Sequence, residues 1–278
     1  MKKKRILFLL SRFLDGGIDS VLVEYLTYMA SQPQCEVTLA IGMNYDKLEV
    51  YSHRIPSNVR IVHLVNSSLL TKWRKKKLYS PIPFYIKAFD EALLNPIRRY
   101  IISRKIAKLA EQSDVIVDFD CCSHSFVKRI NKPKIGYFHF SIKQVLQENE
   151  RKRQRMQQTI ECYNKFVIIS YAMLEEAKDL FPSLQNKFEM IYNGINFHEL
   201  SQKAMGETEN SLSDIPYILT ISRLEESQKD VSTLLQAYAL LRSKYNQKLP
   251  LVIIGKGKSE QQLRELTTQL DISNHVHF

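Results

Sequence analysis

Arg223 and Lys229 stand six positions apart, between an apolar run and a helical pattern. The run, Tyr217 to Ile221, has the length and residue types of a strand buried on both faces. After the cations, Val231, Leu234, Leu235, Tyr238 and Leu241 recur at helical spacing, with Asp230 in the N-cap position. Strand, turn and helix are half of a βαβ unit. Such turns lie at the carboxyl edge of a parallel sheet, where open α/β folds bind ligands. Two fixed cations beside the positive end of a helix suit a multiply charged anion, most simply a diphosphate. On the residues alone the rival reading, two solvated loop charges, stays open.

Other stretches could do chemistry at the same kind of edge. Gly16-Gly17 sits between a first apolar run and a helix, where glycines let backbone amides approach a ligand or simply make a tight turn. His139 ends the run Ile135 to Phe138; a histidine there is by default structural, yet neutral imidazole can exchange a hydrogen bond with a hydroxyl. Gly255-Lys256-Gly257-Lys258 follows the run Leu251 to Ile254, without the third glycine of a dinucleotide fingerprint. Asp118-Phe119-Asp120 follows Asp114 to Val117; paired carboxylates of that kind can hold a divalent cation.

The elements that must position these residues alternate. Strands are expected over Arg5–Leu10, Glu36–Ile41, Val59–Leu64, Asp114–Val117, Ile135–Phe138, Lys165–Ile169 and Phe188–Tyr192, with helices between several of them. The helix after Gly17 carries Val21, Leu22, Tyr25, Leu26 and Met29 on one face, and one polar helix is expected over Lys143–Cys162. Residues 196–213 are polar and read as a linker, dividing the chain into domains at 1–195 and 214–278. Between Ser67 and Gln112 the rhythm breaks. Lys72, Arg74, Lys75, Lys76 and Lys77 surround Trp73, an aromatic stretch with Pro81 and Pro83 follows, and a helix then carries Arg98, Arg99, Arg104 and Lys105. Cations interleaved with aromatics suit an anionic membrane surface.

A chain of 278 residues with 44% hydrophobic and 25% charged residues is long enough for two cores. A net charge of +11 points to anionic partners, though no nucleic-acid motif accompanies it and none is expected as a partner. Four cysteines without CxxC spacing indicate neither a zinc site nor a disulfide framework. The apolar run Ile6–Leu10 is too short for a signal peptide, and no segment reaches membrane-spanning length, so a cytoplasmic protein is expected.

Ser222-Arg223-Leu224 and Gln228-Lys229-Asp230 resemble the donor motif of family 4 glycosyltransferases, which have the GT-B fold and retain anomeric configuration. The motif there is glycine- or serine-Arg-Leu, then Gln-Lys-Gly; Ser222 and Asp230 replace the commoner glycines. The resemblance implies an α/β, GT-B-like fold: a Rossmann-type N-terminal domain with a parallel sheet, and an incomplete second Rossmann-type domain. It implies that Arg223 and Lys229 hold the diphosphate of a nucleoside diphosphate-sugar, with Gly16 and Gly17 near the phosphates. His139 would lie close to the transferred sugar as the candidate catalytic residue, and Gly255 and Gly257 would border the nucleotide. No metal or other cofactor is implied, since the cations neutralise the phosphates. The Asp-x-Asp motif, a metal signature of the GT-A fold, is set aside.

The family acts on glycan or lipid-linked acceptors in capsule and lipopolysaccharide synthesis, which implies a peripheral site on the cytoplasmic membrane face through the basic segments near Trp73 and Arg98. Its acidic motif, two Glu separated by seven residues in the donor domain, has no convincing counterpart here. A truncated chain is therefore expected, with an exposed sheet edge and apolar patch. The alternative is a non-catalytic remnant that binds acceptor, membrane or a partner chain. An epimerase of the same plan would need cleft carboxylates that are not evident, and a Rossmann dehydrogenase would need the missing glycine fingerprint.

Overall fold

The computed structural model describes residues 3–206, 216–246 and 248–278. In chain order the elements are β1 (Lys4–Leu10), α1 (Gly17–Ser31), β2 (Cys35–Met43), β3 (Arg60–Val65), α2 (Ser68–Lys76), α3 (Phe84–Phe89), a π turn (Asp90–Leu94), α4 (Asn95–Glu111), β4 (Val115–Asp118), α5 (His124–Val127) and β5 (Lys134–Phe138). Then follow α6 (Ile142–Leu146), α7 (Glu150–Cys162), β6 (Lys165–Ile168), α8 (Tyr171–Leu180), β7 (Phe188–Met190), α9 (Phe197–Ala204), β8 (Ile218–Ile221), α10 (Glu226–Lys229), α11 (Val231–Tyr245), β9 (Leu251–Ile254), α12 (Glu260–Gln269) and β10 (Val276–His277). The chain divides into two compact units, Met1–Phe197 and His198–Phe278. The segment expected as a linker holds α9, and its residues 207–213 lie outside the described residues.

The first unit is a seven-stranded parallel sheet in the order β3-β2-β1-β4-β5-β6-β7. β1 shows why its apolar run is continuous: strands covered on both faces need apolar residues at every position. Ile6, Phe8 and Leu10 enter the core shared with Leu22, Val23 and Leu26 of α1. Leu7 and Leu9 point the other way, into the core with Ile106 and Leu109 of α4 and Ile160 of α7. Burying each such side chain contributes about 1.5–3 kcal/mol. The order reverses between β1 and β4, whose ends pair Leu9 with Asp118. The loops after these strands therefore flank a topological switch point.

The second unit is a parallel sheet of order β10-β9-β8, packed through Leu251 and Ile253 against Leu235, Tyr238 and Leu263. Here the expectation of a first strand buried on both faces fails. β8 is an edge strand among the described residues, and Leu219, Ile221 and Ile254 stand exposed on one face. Helices cover the other face alone, so β8 alternates rather than burying throughout.

A second difference lies at Lys143–Cys162, read as one helix. Gln147 and Glu148 adopt left-handed backbones, φ 49° and 56°, and split it into α6 and α7. Each piece has its own cap: Ser141 Oγ accepts from Gln144 N, and Asn149 Oδ1 from Lys152 N.

Candidate functional site

In the second unit, the loop after β8 is clamped to the loop after β9. Ser222 N donates to Ile254 O at 3.0 Å, Leu224 N to Lys256 O at 3.0 Å, and Ser259 N to Leu224 O at 3.1 Å. The Leu224 side chain is fully buried in that unit's core. Arg223 thus projects from between two anchored neighbours and is itself exposed. Gly255 and Gly257 have a steric reason for being glycine that involves no ligand. A Cβ on Gly255 would lie 1.8 Å from Ser222 O, and one on Gly257 would lie 2.1 Å from Leu224 O. They permit the loop-on-loop contact that holds Arg223.

Lys229 ends α10, a single helical turn within the stretch read as a plain polar turn. Asp230 stands at the N-cap of α11 with a left-handed backbone, φ 47°, but its side chain does not cap. Glu226 caps instead, accepting from Val231 N at 2.9 Å and Ser232 N at 3.2 Å. This corrects the picture of a bare helix end beside two cations: the first amides of α11 are already satisfied by a carboxylate. What remains for an anion is the pair of side chains. Neither Arg223 nor Lys229 forms an ion pair among the described residues, and Glu225, the nearest acid in sequence to Arg223, is taken by Lys258 at 2.9 Å. Ser222 Oγ is buried with no partner among the described residues.

The carboxyl edge of the first unit is built differently. Asp118 closes β4 and is completely buried. Its Oδ2 accepts from Tyr163 Oη at 2.5 Å and Ser123 N at 2.7 Å. Burial, then the nearby Asp120 carboxylate, push its pKa up to about 8. Asp120 accepts from both the amide and the hydroxyl of Ser11, which follows β1. The Asp-x-Asp pair is thus engaged within the protein. Among the described residues no group of three or more His, Cys, Asp or Glu could hold a metal ion.

His139, just past β5, rests against Phe119 and Tyr137, with ring centroids 4.9 and 6.0 Å away. Its Nε2 lies 2.7 Å from Phe119 O, a pure acceptor. Nε2 therefore carries the proton, and Nδ1 is left as a lone-pair acceptor. Burial lowers the pKa of His139, which keeps the ring neutral. Gly16 N donates to Asp19 Oδ2 at 2.8 Å, so that amide is taken; Gly17 borders open space. A cavity of about 210 Å³ opens nearby, lined by Ser11, Arg12, Met43, Ile102, Cys122 and Phe126 among others.

The cations of the basic segment do not all face outward. Arg98 is buried, its Nη1 and Nη2 donating to Asp90 Oδ1 and Oδ2 at 2.7 and 2.8 Å. Arg74 pairs with the same carboxylate, and Lys75 with Asp46. Burial would raise the Asp90 pKa, but the two guanidiniums outweigh it and hold the group ionised below its usual range. Arg98 is therefore corrected from a membrane-facing charge to an internal one. Among the described residues no helix is long and apolar enough to cross a membrane.

Sequence reasoning missed Ser11–Asp120, Asp118–Tyr163 and the Glu226 cap. The first had a usable signal: Ser11 and Asp120 follow strands that become neighbours once the sheet order is known. Gly136 carries the second, since a Cβ there would meet the Tyr163 ring at 2.8 Å.

An open parallel sheet with loops gathered at its carboxyl edge is the α/β architecture of GT-B glycosyltransferases. Over 98% of its length the chain superposes on 66% of the lipopolysaccharide outer core galactosyltransferase WaaB in its apo form, with TM-score 0.63 and 16% identity. It superposes along 100% of its length on 68% of HepE of Anabaena in complex with UDP, with TM-score 0.63 and 15% identity. Residues 202–278 match the family described as Glycosyl transferases group 1. The N-acetylgalactosamine-N,N'-diacetylbacillosaminyl-diphospho-undecaprenol 4-alpha-N-acetylgalactosaminyltransferase of Campylobacter jejuni is 32% identical over 103 residues, 37% of this chain. The chain spans about a quarter of that relative's length, 26%.

Proposed function

We propose that this chain belongs to a retaining glycosyltransferase. It would move a sugar from a nucleoside diphosphate-sugar to a glycan or lipid-linked acceptor in cell-surface polysaccharide synthesis. The observation that carries this reading is the state of Arg223 and Lys229: two exposed cations without ion pairs among the described residues, on a clamped turn, inside the segment that matches glycosyltransferases group 1. Held guanidinium and ammonium groups stabilise the leaving diphosphate without a metal, because charge placed in advance needs no reorganisation during reaction. His139, through Nδ1, accepts a hydrogen bond from a sugar hydroxyl. Gly17 leaves room for a ligand at the start of α1, and Gly16 shapes that turn. Gly255 and Gly257 serve the donor indirectly, by seating Arg223. The acceptor meets the first unit, whose cavity beside Ser11 and Arg12 has largely apolar walls. The protein works in the cytoplasm, peripheral to the membrane face.

UDP is the first nucleotide to test, because HepE was solved with it. Titration calorimetry should show binding that Arg223→Ala weakens about tenfold to a hundredfold, the loss expected for charge-assisted hydrogen bonds. Equal affinity in the variant would dismiss the donor site. One observation favours a binding-only role for the chain: among the described residues Leu219, Ile221 and Ile254 present an exposed apolar sheet face that a partner chain would cover. Nucleotide binding without any sugar transfer or donor hydrolysis would select that second reading.

A further inference from the structure

Residues 67–111 carry eleven Lys or Arg against three Asp or Glu, and the chain's sole tryptophan, Trp73. The structure sorts these charges. Asp90 takes Arg98 and Arg74, and Arg98 Nη1 also donates to Leu70 O at 2.9 Å, which staples α2 to the helix beyond. Glu91, the one acid exposed near that staple, is held by Arg74. Lys72, Lys76, Lys77 and Lys87 stay exposed and form no ion pair among the described residues; Lys72 and Lys76 lie over the Trp73 ring.

Beside them runs an apolar stripe. α3, the π turn and α4 form one unbroken helix from Phe84 to Glu111. On it Phe84, Tyr85, Phe89, Leu93, Ile97 and Tyr100 are exposed, Phe84 by 84% and Tyr100 by 67%. In a plain α-helix each four-residue step from Tyr85 to Ile97 would turn the stripe by about 40°. The wider π turn takes more residues per turn and cancels part of that drift, so the side chains stay in line. The same turn points Asp90 inward to its arginines. Thus the acid and two guanidiniums are withdrawn while aromatics and lysines face out.

We propose that α2 and the α3–α4 helix form a docking surface for an anionic lipid bilayer, with the Phe84–Tyr100 stripe at the acyl boundary and Lys72, Lys76 and Lys77 on the headgroups. The charge selects this occupant. A second copy of the chain would set one lysine-rich face against another, a like-charge contact in any two-fold dimer. A nucleic-acid backbone would meet the lysines but leave the apolar stripe wet. An anionic bilayer satisfies both parts. The proposal rests on the membrane-side acceptor of the reading above, but its test involves lipid alone, so its failure leaves UDP binding untouched and the converse.

The full chain is mixed with phosphatidylcholine vesicles with and without phosphatidylglycerol, and binding is followed by sedimentation and by Trp73 fluorescence. Binding is expected only with phosphatidylglycerol, with a blue shift of Trp73 and quenching by brominated lipid. Lys72/Lys76/Lys77→Gln should weaken it about a hundredfold, since each lysine near an anionic surface is worth roughly fivefold. Phe84→Ser/Phe89→Ser should abolish the part of binding that survives high salt. Arg151/Arg153/Arg155→Gln, a basic cluster on α7, should leave binding unchanged. No binding, equal binding to both vesicles, or equal loss in the α7 variant would overturn the proposal. So would a dimer in solution that Phe84→Ser/Phe89→Ser dissolves while lipid binding persists.

Discussion

The two carboxyl-edge loop systems handle polar groups in opposite ways. In the first unit most polar groups at the edge have an internal partner: Asp118 Oδ2 with Tyr163 and Ser123, Asp120 with Ser11, Asp19 with Gly16, His139 with Phe119; Asp118 Oδ1 is buried with none among the described residues. In the second unit the backbone is clamped as firmly, yet Arg223 and Lys229 form no ion pair among the described residues. A saturated edge is a frame, and its chemistry is confined to the few atoms left over, such as His139 Nδ1. The second edge leaves two exposed cations, and the proposed donor site rests on them. The difference shows which side chains to remove when asking about folding and which when asking about binding.

The clamp should break most visibly. Gly255→Ala places a methyl group where Ser222 O stands, and neither backbone can yield without releasing Arg223. A loss of about 3 kcal/mol is expected in urea unfolding, together with loss of UDP binding, because overpacking against backbone is costly. Unchanged stability with normal binding would mean the clamp is not what seats Arg223.

Asp118 tests the saturated side. Its folded pKa, about 8, lies above the ~3.9 of an unfolded aspartate, so the fold binds a proton that unfolding releases. That contribution is fully present below about pH 4 and is lost as pH rises towards 8. Asp118→Asn should therefore stabilise the protein by about 5 kcal/mol at pH 8 and flatten the fall of stability between pH 5 and 8. The amide oxygen still accepts from Tyr163 and Ser123. A variant less stable than the parent at pH 8 would show that Asp118 is ionised in the fold.

Much of this frame was legible in residue patterns, and the reasons for the gaps are physical. Parallel strands announce themselves because both faces are covered, and β1, β2 and β4 through β6 appear within two residues of expectation at each end. The same rule misled at β8, where coverage is a matter of what else packs there. The split after α6 was hidden because Gln147 and Glu148, neither glycine nor asparagine, take left-handed backbones. Arg98 looked like surface charge because its partner Asp90 lies eight positions back, a spacing that the π turn brings to one side. Arg223 and Lys229 were legible as cations on a turn; that Glu226 rather than a ligand fills the start of α11 was not.

Glu226 makes that last point testable. Glu226→Ala removes a cap worth about 1 kcal/mol and should lower stability by that much. The same change frees the amides of Val231 and Ser232 and deletes a negative charge near Lys229, so UDP affinity should rise a few-fold. Opposite signs on stability and affinity are the signature. A fall in both would place Glu226 among the groups that shape the site rather than those that compete for it.

The smallest effect concerns Ser222, whose backbone belongs to the clamp and whose hydroxyl is idle. Ser222 N donates to Ile254 O, and alanine keeps that bond. Ser222 Oγ is buried without a partner among the described residues, and a buried unpaired hydroxyl costs about 1 kcal/mol. Ser222→Ala should then stabilise the chain by up to that amount and leave UDP affinity alone. If affinity drops instead, the hydroxyl serves the ligand as is proposed for Arg223, and the line between frame and site passes through this one residue.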